Sequence, residues 1–143
     1  MTPMVDTHRP LQCLVVTPER ALLDEAADFV ALPMADGELG VLPGRAPLIG
    51  RLGYGELRTR RGAITKRFYV DGGFAQVRSN LVTVLTPRAL KAEEINTAAA
   101  EQALRAALES APEAENPEER LKAQDRARAQ IRVAQHSHGG HST

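Results

Sequence analysis

Apolar and polar residues alternate in short stretches between Leu11 and Leu85, and turn-forming residues separate these stretches. A period of two is typical of β-strands that have one buried face. The pattern predicts nine strands, which run from Leu11 to Thr17, Ala21 to Leu23, Asp28 to Pro33, Leu39 to Leu42, Leu48 to Leu52, Tyr54 to Thr59, Ile64 to Val70, Phe74 to Arg78 and Leu81 to Leu85. Since no helical pattern intervenes, we expect an antiparallel β-sandwich or a flattened barrel.

The pattern changes after Pro87, where Ala, Glu, Gln and Arg predominate. These residues favour helix, and they predict a first helix from about Ala92 to Ser110. A second helix should begin with Asn116 as its N-cap, Pro117 in its first position and Glu119 three residues after the cap. Because the connection is short, the two helices should form an antiparallel hairpin, and the predicted fold is an N-terminal β-sandwich followed by this hairpin.

The apolar faces of the two predicted helices are narrow. They consist of Ala100, Leu104, Ala107 and Leu108 in the first helix and of Leu121, Ala127, Ile131 and Ala134 in the second, where Gln124 interrupts the stripe. Alanine buries little area, and each buried Leu or Ile contributes only about 1.5 to 3 kcal/mol, so we expect a hairpin that can detach from the sandwich. The same pattern also fits a hairpin that is permanently docked and only stabilises the sandwich.

These patterns divide the chain into a flexible N-terminus at 1–10, a β-sandwich at 11–88, a helical hairpin at 89–135 and a disordered tail at 136–143. The tail contains His136, His138 and His141, which could bind a transition metal weakly. Because the tail lacks apolar residues that would fix the ligand geometry, we interpret it as a polar tail and expect no metal site.

The composition argues against several classes of protein. The 18 basic and 18 acidic side chains cancel and aromatic residues make up 3%, so the charge and the stacking surfaces of a nucleic-acid-binding protein are missing. The single cysteine, Cys13, allows no intramolecular disulfide and is interpreted as a small apolar strand residue. No stretch approaches the roughly 18 apolar residues of a membrane span, so membrane contact is expected only through partner proteins.

Residues for catalysis are scarce in the predicted sandwich. No histidine lies between His8 and His136, so this region offers neither a histidine metal cluster nor a histidine base. The sequence also has no phosphate-binding loop with its lysine. We interpret the scattered carboxylates as solvated surface residues, although a facing pair for glycoside hydrolysis stays open: Asp24, Glu25, Asp28, Asp36, Glu38, Glu56 and Asp71.

The most distinctive segment, Gly37 to Leu48, reads GELGVLPGRAPL. Its glycines and prolines mark bends around a short strand, because glycine allows positive φ and proline fixes φ. The string resembles the signature of the bacterial epsilon subunit of F-type ATP synthases, in which a Gly-Glu-Leu-Gly turn leads into Pro-Gly-x-Ala-Pro-Leu. The resemblance extends to Leu11 to Glu19, Asp71 to Val77, Leu81 to Leu85 and the Ala-rich C-terminus as far as about Val133.

This resemblance implies a non-catalytic rotor subunit of a proton-translocating ATP synthase, bound peripherally at the cytoplasmic face of the inner membrane. The sandwich would link the gamma subunit to the c-ring. In the family, the position of Glu38 lies near the polar loops of the c-ring, and the position of Arg45, usually histidine, lies close to gamma. Arginine replaces a titratable ring by a permanent charge. The implied gamma and c-ring surface comprises Glu38, Leu42, Pro43, Gly44, Arg45 and Pro47.

The resemblance also implies that the second helix restrains ATP hydrolysis through contact with an acidic segment of the catalytic beta subunit. The basic residues that would make this contact are Arg120, Lys122, Arg126, Arg128 and Arg132. Residues 117–143 carry five basic and three acidic side chains, whereas 91–116 carry two basic and six acidic. This contrast favours an acidic partner for the second helix, and a solvated helix face is the alternative on residue pattern alone.

Family members that bind ATP carry Ile/Leu-Asp-x-x-Arg-Ala at the start of the first helix. In the matching string from Ile95 to Ala100, Asn96 replaces the aspartate and Ala99 replaces the arginine. The loss of two ionised partners weakens binding by about 3 to 6 kcal/mol, so we expect poor ATP binding and no cofactor.

A free-standing β-sandwich that binds a ligand, or an enzyme with a helical cover, is the alternative of a different class. Co-purification with the large synthase subunits from host membranes would separate the two.

Overall fold

The computed structural model describes residues 9–109 and 116–139, and for 137–139 only the helical backbone. Its strands are β1 (Leu11–Val16), β2 (Ala21–Ala27), β3 (Phe29–Met34), β4 (Gly37–Val41), β5 (Leu48–Arg61), β6 (Ile64–Arg78), β7 (Leu81–Leu85) and β8 (Ala89–Lys91). A short 3-10 helix (Ala92–Glu94) follows the strands, and the helices are α1 (Thr97–Glu109) and α2 (Pro117–Gly139).

The strands form one hydrogen-bonded sheet in the order β2-β1-β7-β6-β5-β3-β4, with β8 paired to β6 off this path. The pairs are antiparallel except β1 with β7, which are parallel. The parallel pair departs from the expected antiparallel arrangement because the first strand lies beside the last strand of the meander. The order begins at β2 and ends at β4, so the sheet is open. The fold is the predicted β-sandwich rather than a closed barrel.

Two long strands belong to both layers of the sandwich. Residues 48–52 of β5 pair with 73–77 of β6, and residues 54–61 pair with 64–71. The first layer contains β2, β1, β7 and residues 48–52 and 73–77. The second layer contains β4, β3, β8 and residues 54–61 and 64–71. The main core lies between the layers and includes Leu11, Val30, Leu57, Phe68 and Val84.

The bend in β6 lies at Gly72 and Gly73, whose φ values are 77° and 103°. A Cβ atom at Gly73 would overlap the carbonyl oxygen of Leu85 and lie 2.9 Å from Cα of Thr86. Only glycine fits such a close approach of two backbones. We predicted separate strands on either side of this bend and of Gly53, because glycine interrupts the alternation. That division is wrong, since β5 and β6 continue through the bends.

The start of the first helix also differs from the prediction. We expected a helix from Ala92, but Ala92–Glu94 is a 3-10 helix and α1 begins at Thr97. Asn96 caps α1, because its Oδ1 accepts a hydrogen bond from the N–H of Ala99 at 3.0 Å and its carbonyl oxygen accepts one from Ala100 at 3.0 Å. Helix-forming composition alone did not reveal this cap. The three residues of β8 were missed because they are too few to show an alternation.

The predicted N-cap of the second helix is confirmed. Oδ1 of Asn116 accepts a hydrogen bond from the N–H of Glu118 at 2.9 Å, and Pro117 occupies the first helical position. The helix continues to Gly139, so residues 136–139 are helical and the expected boundary after Gln135 falls inside α2. The expected flexible residues 1–8, the predicted end of the first helix at Ser110 and the tail residues 140–143 lie outside the described residues.

Helix α2 packs against α1 on one side and against β5, β6 and the 3-10 helix on the other. The predicted apolar stripe is only partly correct, because Leu108 and Leu121 are more than half exposed. Both lie near the connection between the helices, whereas α2 contacts the sheet further along, through residues such as Ala129 and Val133. Within the described residues, no helix has both the length and the apolar character needed to cross a bilayer.

Cys13 is fully buried in the main core. Burial is the main reason that its pKa rises to about 12, and the nearby carboxylates Glu25 and Asp24 add to the effect. The thiol is therefore neutral at physiological pH and packs as a small apolar residue, as predicted.

Candidate functional site

Apolar side chains are exposed on the outer face of the first layer. The strand register places neighbouring side chains in two rows, Val16, Leu85, Phe74 and Arg51 in one and Leu14, Thr83, Gln76 and Ile49 in the other. Phe74 and Leu85 lie directly opposite each other and each is 53% exposed. We call Leu14, Val16, Ile49, Phe74 and Leu85 the outer apolar face, in which the last three are exposed and the first two are half-buried. Contiguous exposed apolar surface of this kind is typical of a protein–protein contact.

The loop between β4 and β5 contains most of the residues predicted to contact gamma and the c-ring, namely Leu42, Pro43, Gly44, Arg45 and Pro47. The N–H of Gly44 donates a hydrogen bond to Oδ1 of Asn80 at 2.8 Å. This bond attaches the loop to the turn before Leu81, which is exposed at the start of β7. The loop therefore borders the outer apolar face, and it exposes Leu42 and Arg45 there.

Glu38 does not belong to that loop but lies on the edge strand β4, which precedes it. Its Oε1 is 3.0 Å from Nη2 of Arg58. Glu38 also lines a cleft of about 650 Å³ together with Asp36, Ile49 and Arg51. Because Ile49 and Arg51 belong to the two rows of the first layer, this cleft connects Glu38 to the end of the outer apolar face.

The outer face of the second layer is covered by α2. Tyr69 is fully buried beneath the helix, in a cluster with Ala129, Val133 and Ile95, and Tyr54 is partly buried at its margin. Alternation along β6 directs the residues on either side of Tyr69 into the main core. The two faces of the sandwich therefore differ, because the chain's own helix covers one and leaves the other exposed.

Asp71 makes a polar contact with the docked helix. Its Oδ1 accepts a hydrogen bond from the hydroxyl of Tyr69 at 2.7 Å and lies 3.1 Å from Nε of Arg126. The guanidinium of Arg126 also lies over the ring of Tyr54, 5.2 Å from the centroid, in a cation–π contact. Burial raises the pKa of Tyr69 far above its ordinary value, and Asp71 adds to this shift. Tyr69 is therefore a hydrogen-bond donor at neutral pH.

Glu56 makes a second polar contact, close to the C-terminal end of α2. Its Oε2 is 2.6 Å from Nδ1 of His136, and its Oε1 accepts hydrogen bonds from Arg67 at 2.8 Å and Arg58 at 3.2 Å. Burial alone would raise the pKa of Glu56, but the hydrogen bonds from His136 and Arg58 and the charge of Arg67 lower it below its ordinary value. The stabilising contribution of the ionised carboxylate is therefore present at neutral pH and is lost as the pH falls through that lowered pKa.

The basic residues predicted to bind the catalytic partner differ in their surroundings. Arg126 contacts Asp71, and Nζ of Lys122 lies 3.9 Å from Glu119. Arg128 and Arg132 are exposed, and Arg120 is half-buried. Docking of α2 thus engages Arg126 with the sandwich.

Two carboxylates were wrongly interpreted as solvated surface residues. The side chains of Glu56 and Asp71 are only 9% and 16% exposed, and both contact α2. Their partners His136 and Arg126 are 80 and 55 residues away in the chain, so local patterns carry no signal for these contacts. The sequence did indicate the outer apolar face, since Phe74 and Leu85 are apolar residues at strand positions that alternate with the buried ones.

Asn96 and Ala99, the positions that differ from the family's ATP motif, lie at the beginning of α1, where Asn96 acts as the helix cap. Neither position supplies an ionised side chain. Among the described residues, no group of three or more potential metal ligands occurs.

Sequence comparison identifies the class of this sandwich and hairpin. The family model of the ATP synthase delta/epsilon chain β-sandwich domain matches residues 10–92. The ATP synthase epsilon chain of Rhodopirellula baltica is 50% identical over 126 residues, which cover 87% of this chain and 98% of that protein. The epsilon chain of a Synechococcus species is 39% identical over 128 residues, with 87% and 93% coverage.

A chain in the cryo-EM structure of the Euglena gracilis mitochondrial ATP synthase, with OSCP, F1 and c-ring, has a similar fold. Its TM-score is 0.75 at 21% identity, over 92% of this chain and 82% of that one. With the family match, these similarities show that the chain belongs to the ATP synthase epsilon chain family. Its members are non-catalytic subunits of the synthase, so the alternative of a free-standing enzyme is wrong.

Proposed function

We propose that this chain is a central-stalk subunit whose sandwich links gamma to the c-ring and whose α2 restrains ATP hydrolysis. The assembled complex would hold it peripherally at the cytoplasmic face of the membrane. The observation that carries the proposal is the outer apolar face, which stays exposed while α2 covers the opposite face of the sandwich. The Euglena assembly that contains a chain of similar fold includes F1 and the c-ring, which supports this placement.

The outer apolar face and the adjacent loop with Arg45 are the proposed contact for gamma. Phe74 and Leu85 offer adjacent large side chains on a rigid sheet, which is the arrangement expected of an interface centre. The cleft with Glu38 is the proposed contact for the c-ring, because its acidic rim of Asp36 and Glu38 lies at the end of the same face. The first layer would thus present the contact for gamma, and the contact for the c-ring would lie where that layer meets strand β4 of the second layer.

Substitution of Phe74 by glutamate is expected to weaken the complex with gamma by about 2 kcal/mol or more, roughly 30-fold in affinity, because the interface would bury an unpaired charge. The measurement is titration of purified gamma with each variant. Ile64→Glu is the matched control, because Ile64 is 64% exposed at the distant β5–β6 turn. Equal affinities of the two variants would contradict the proposed contact.

The basic residues of α2 are the proposed brake. Exposed Arg128 and Arg132, together with Arg126 once it is free, would pair with an acidic segment of the catalytic beta subunit. Charge complementarity supports this assignment, since residues 117–143 carry five basic and three acidic side chains.

Deletion of residues 117–143 is expected to raise the ATPase activity of the soluble catalytic complex. The main core contains none of the described residues of this segment, so the shortened chain should still fold and assemble. The measurement is steady-state ATP hydrolysis by complexes with the full and the shortened chain, with co-purification as the control for assembly. Unchanged hydrolysis in a fully assembled complex would argue against the brake.

A further inference from the structure

The contact of Arg126 with Asp71 involves one of the five basic residues that the proposed brake requires. Nε of Arg126 lies 3.1 Å from Oδ1 of Asp71, and the guanidinium lies over Tyr54. The Nη donors of this guanidinium are not used by Asp71, but its charge is already paired and its Nε is directed at the sandwich. A carboxylate on another subunit must therefore compete with Asp71 for Arg126 while α2 is docked.

The surroundings of Asp71 suit an ion pair with Arg126 that is well positioned but can still break. The carboxylate is fixed, because the backbone N–H of Asp71 donates to the carbonyl oxygen of Arg88 at 3.0 Å and its Oδ1 accepts the Tyr69 hydroxyl. The Arg126 side chain is 43% exposed, in contrast to 16% for Asp71. Water can thus reach the arginine directly when the pair separates, which limits the cost of opening.

We propose that Asp71 acts as an internal competitor of the catalytic partner for Arg126. Asp71 pairs with Arg126 while α2 is docked, and the brake engages fully once that pair has opened. The ATPase part of this inference rests on the proposed brake, whereas the pairing with Asp71 concerns the chain by itself. The partner chemistry is an acidic protein segment, which offers Arg126 the same type of group that Asp71 offers.

Two substitutions that open the same pair should differ in their effect on hydrolysis. Asp71→Asn removes the competitor and leaves Arg126 available, so inhibition of the ATPase should become stronger. Arg126→Gln releases the helix as well but removes the charge that the partner binds, so inhibition should not strengthen. A purely structural role for the pair predicts the same direction for both variants.

Docking can be measured in the isolated full-length chain. Both tyrosines lie at the α2 contact and the chain has no tryptophan, so acrylamide quenching of intrinsic fluorescence reports undocking. Each single variant is expected to raise the undocked fraction about fivefold, which is the effect of losing one partly exposed ion pair. The double variant should be no looser than Arg126→Gln alone, because Arg126→Gln already removes the contact with Asp71 as well as the contact with Tyr54. The matched controls are Asp125→Asn and Arg105→Gln, which make the same charge changes at exposed positions.

The decisive experiment compares these chains in quenching and in ATP hydrolysis by the reassembled soluble complex. Increased quenching in both single variants, with stronger inhibition only in Asp71→Asn, supports the proposal. Unchanged quenching in Asp71→Asn, or additive effects in the double variant, overturns the pairing. If Asp71→Asn loosens the helix without strengthening inhibition, while deletion of 117–143 still raises hydrolysis, the competition is wrong. If that deletion has no effect, the brake itself fails and the pairing is decided by quenching alone.

Discussion

Gly73→Ala destabilises the β-sandwich by at least about 3 kcal/mol, the largest effect we expect from a single methyl group in this chain. The added Cβ would overlap the carbonyl oxygen of Leu85 and lie 2.9 Å from Cα of Thr86, which are backbone atoms at the end of β7 and just beyond it. Alanine is also strained at φ 103°. Relief would require β6 and β7 to separate where the main core lies between the layers. The measurement is urea unfolding followed by far-ultraviolet circular dichroism.

Gly62→Ala is the control for this substitution. Gly62 has a φ of 59°, but a Cβ there would meet no atom within 4 Å. Its expected cost is about 1 kcal/mol, from backbone conformation alone. The difference between the two variants isolates the close contact of the strands, so equal unfolding midpoints would mean that the backbones at Gly73 are further apart than described.

Val133→Asp releases α2 from the sandwich while the sandwich stays folded. Val133 is 1% exposed and packs in the cluster that contains Tyr69 and Ile95. A carboxylate buried there without a partner costs at least about 3 kcal/mol, which shifts the docking equilibrium on the order of 100-fold. No α2 residue whose side chain is described belongs to the main core, so the stability of the sandwich should change little. The measurement is hydrogen exchange resolved by peptide, with protection lost in α2 and retained in residues 54–71, whose amides stay paired within the sheet.

Gln135→Asp adds the same charge two residues away at an exposed position. It should leave the exchange of both segments unchanged, because the carboxylate remains in water. Loss of protection throughout the β-sheet in Val133→Asp would show that docking and folding of the sandwich are a single cooperative event, contrary to the expectation from the separate clusters.

The fold was predictable from sequence because its signals are local. Alternation identified every strand longer than three residues, and the chemistry of Asn116 and Pro117 identified the start of α2. The errors arose where the same residue type fits two different local structures. Gly53 and the Gly72-Gly73 pair read as chain breaks but are bends within continuous strands, and Asn96 changes the start of α1 through one side-chain hydrogen bond.

The site was less predictable because its contacts are between residues distant in the chain. Asp71 and Glu56 resemble ordinary surface carboxylates, and only the approach of α2 gives them partners. The segment from Gly37 to Leu48 identified the family, but it did not show that Phe74 and Leu85 form the adjacent apolar surface. That surface depends on the register of β6 with β7, which no single segment contains.

The segregation of the main core within the first part of the chain also determines the order in which the molecule can form during synthesis. The cluster runs from Leu11 to Val84, with Ala89 of β8 packed against its margin, and the elements that follow β8 are the 3-10 helix, α1 and α2. When Lys91 leaves the ribosome, strands β1 to β8 have all been made, whereas α2 has not. Since chains fold from the N-terminus as they emerge, the sandwich can close first and offer a finished surface to the nascent helix.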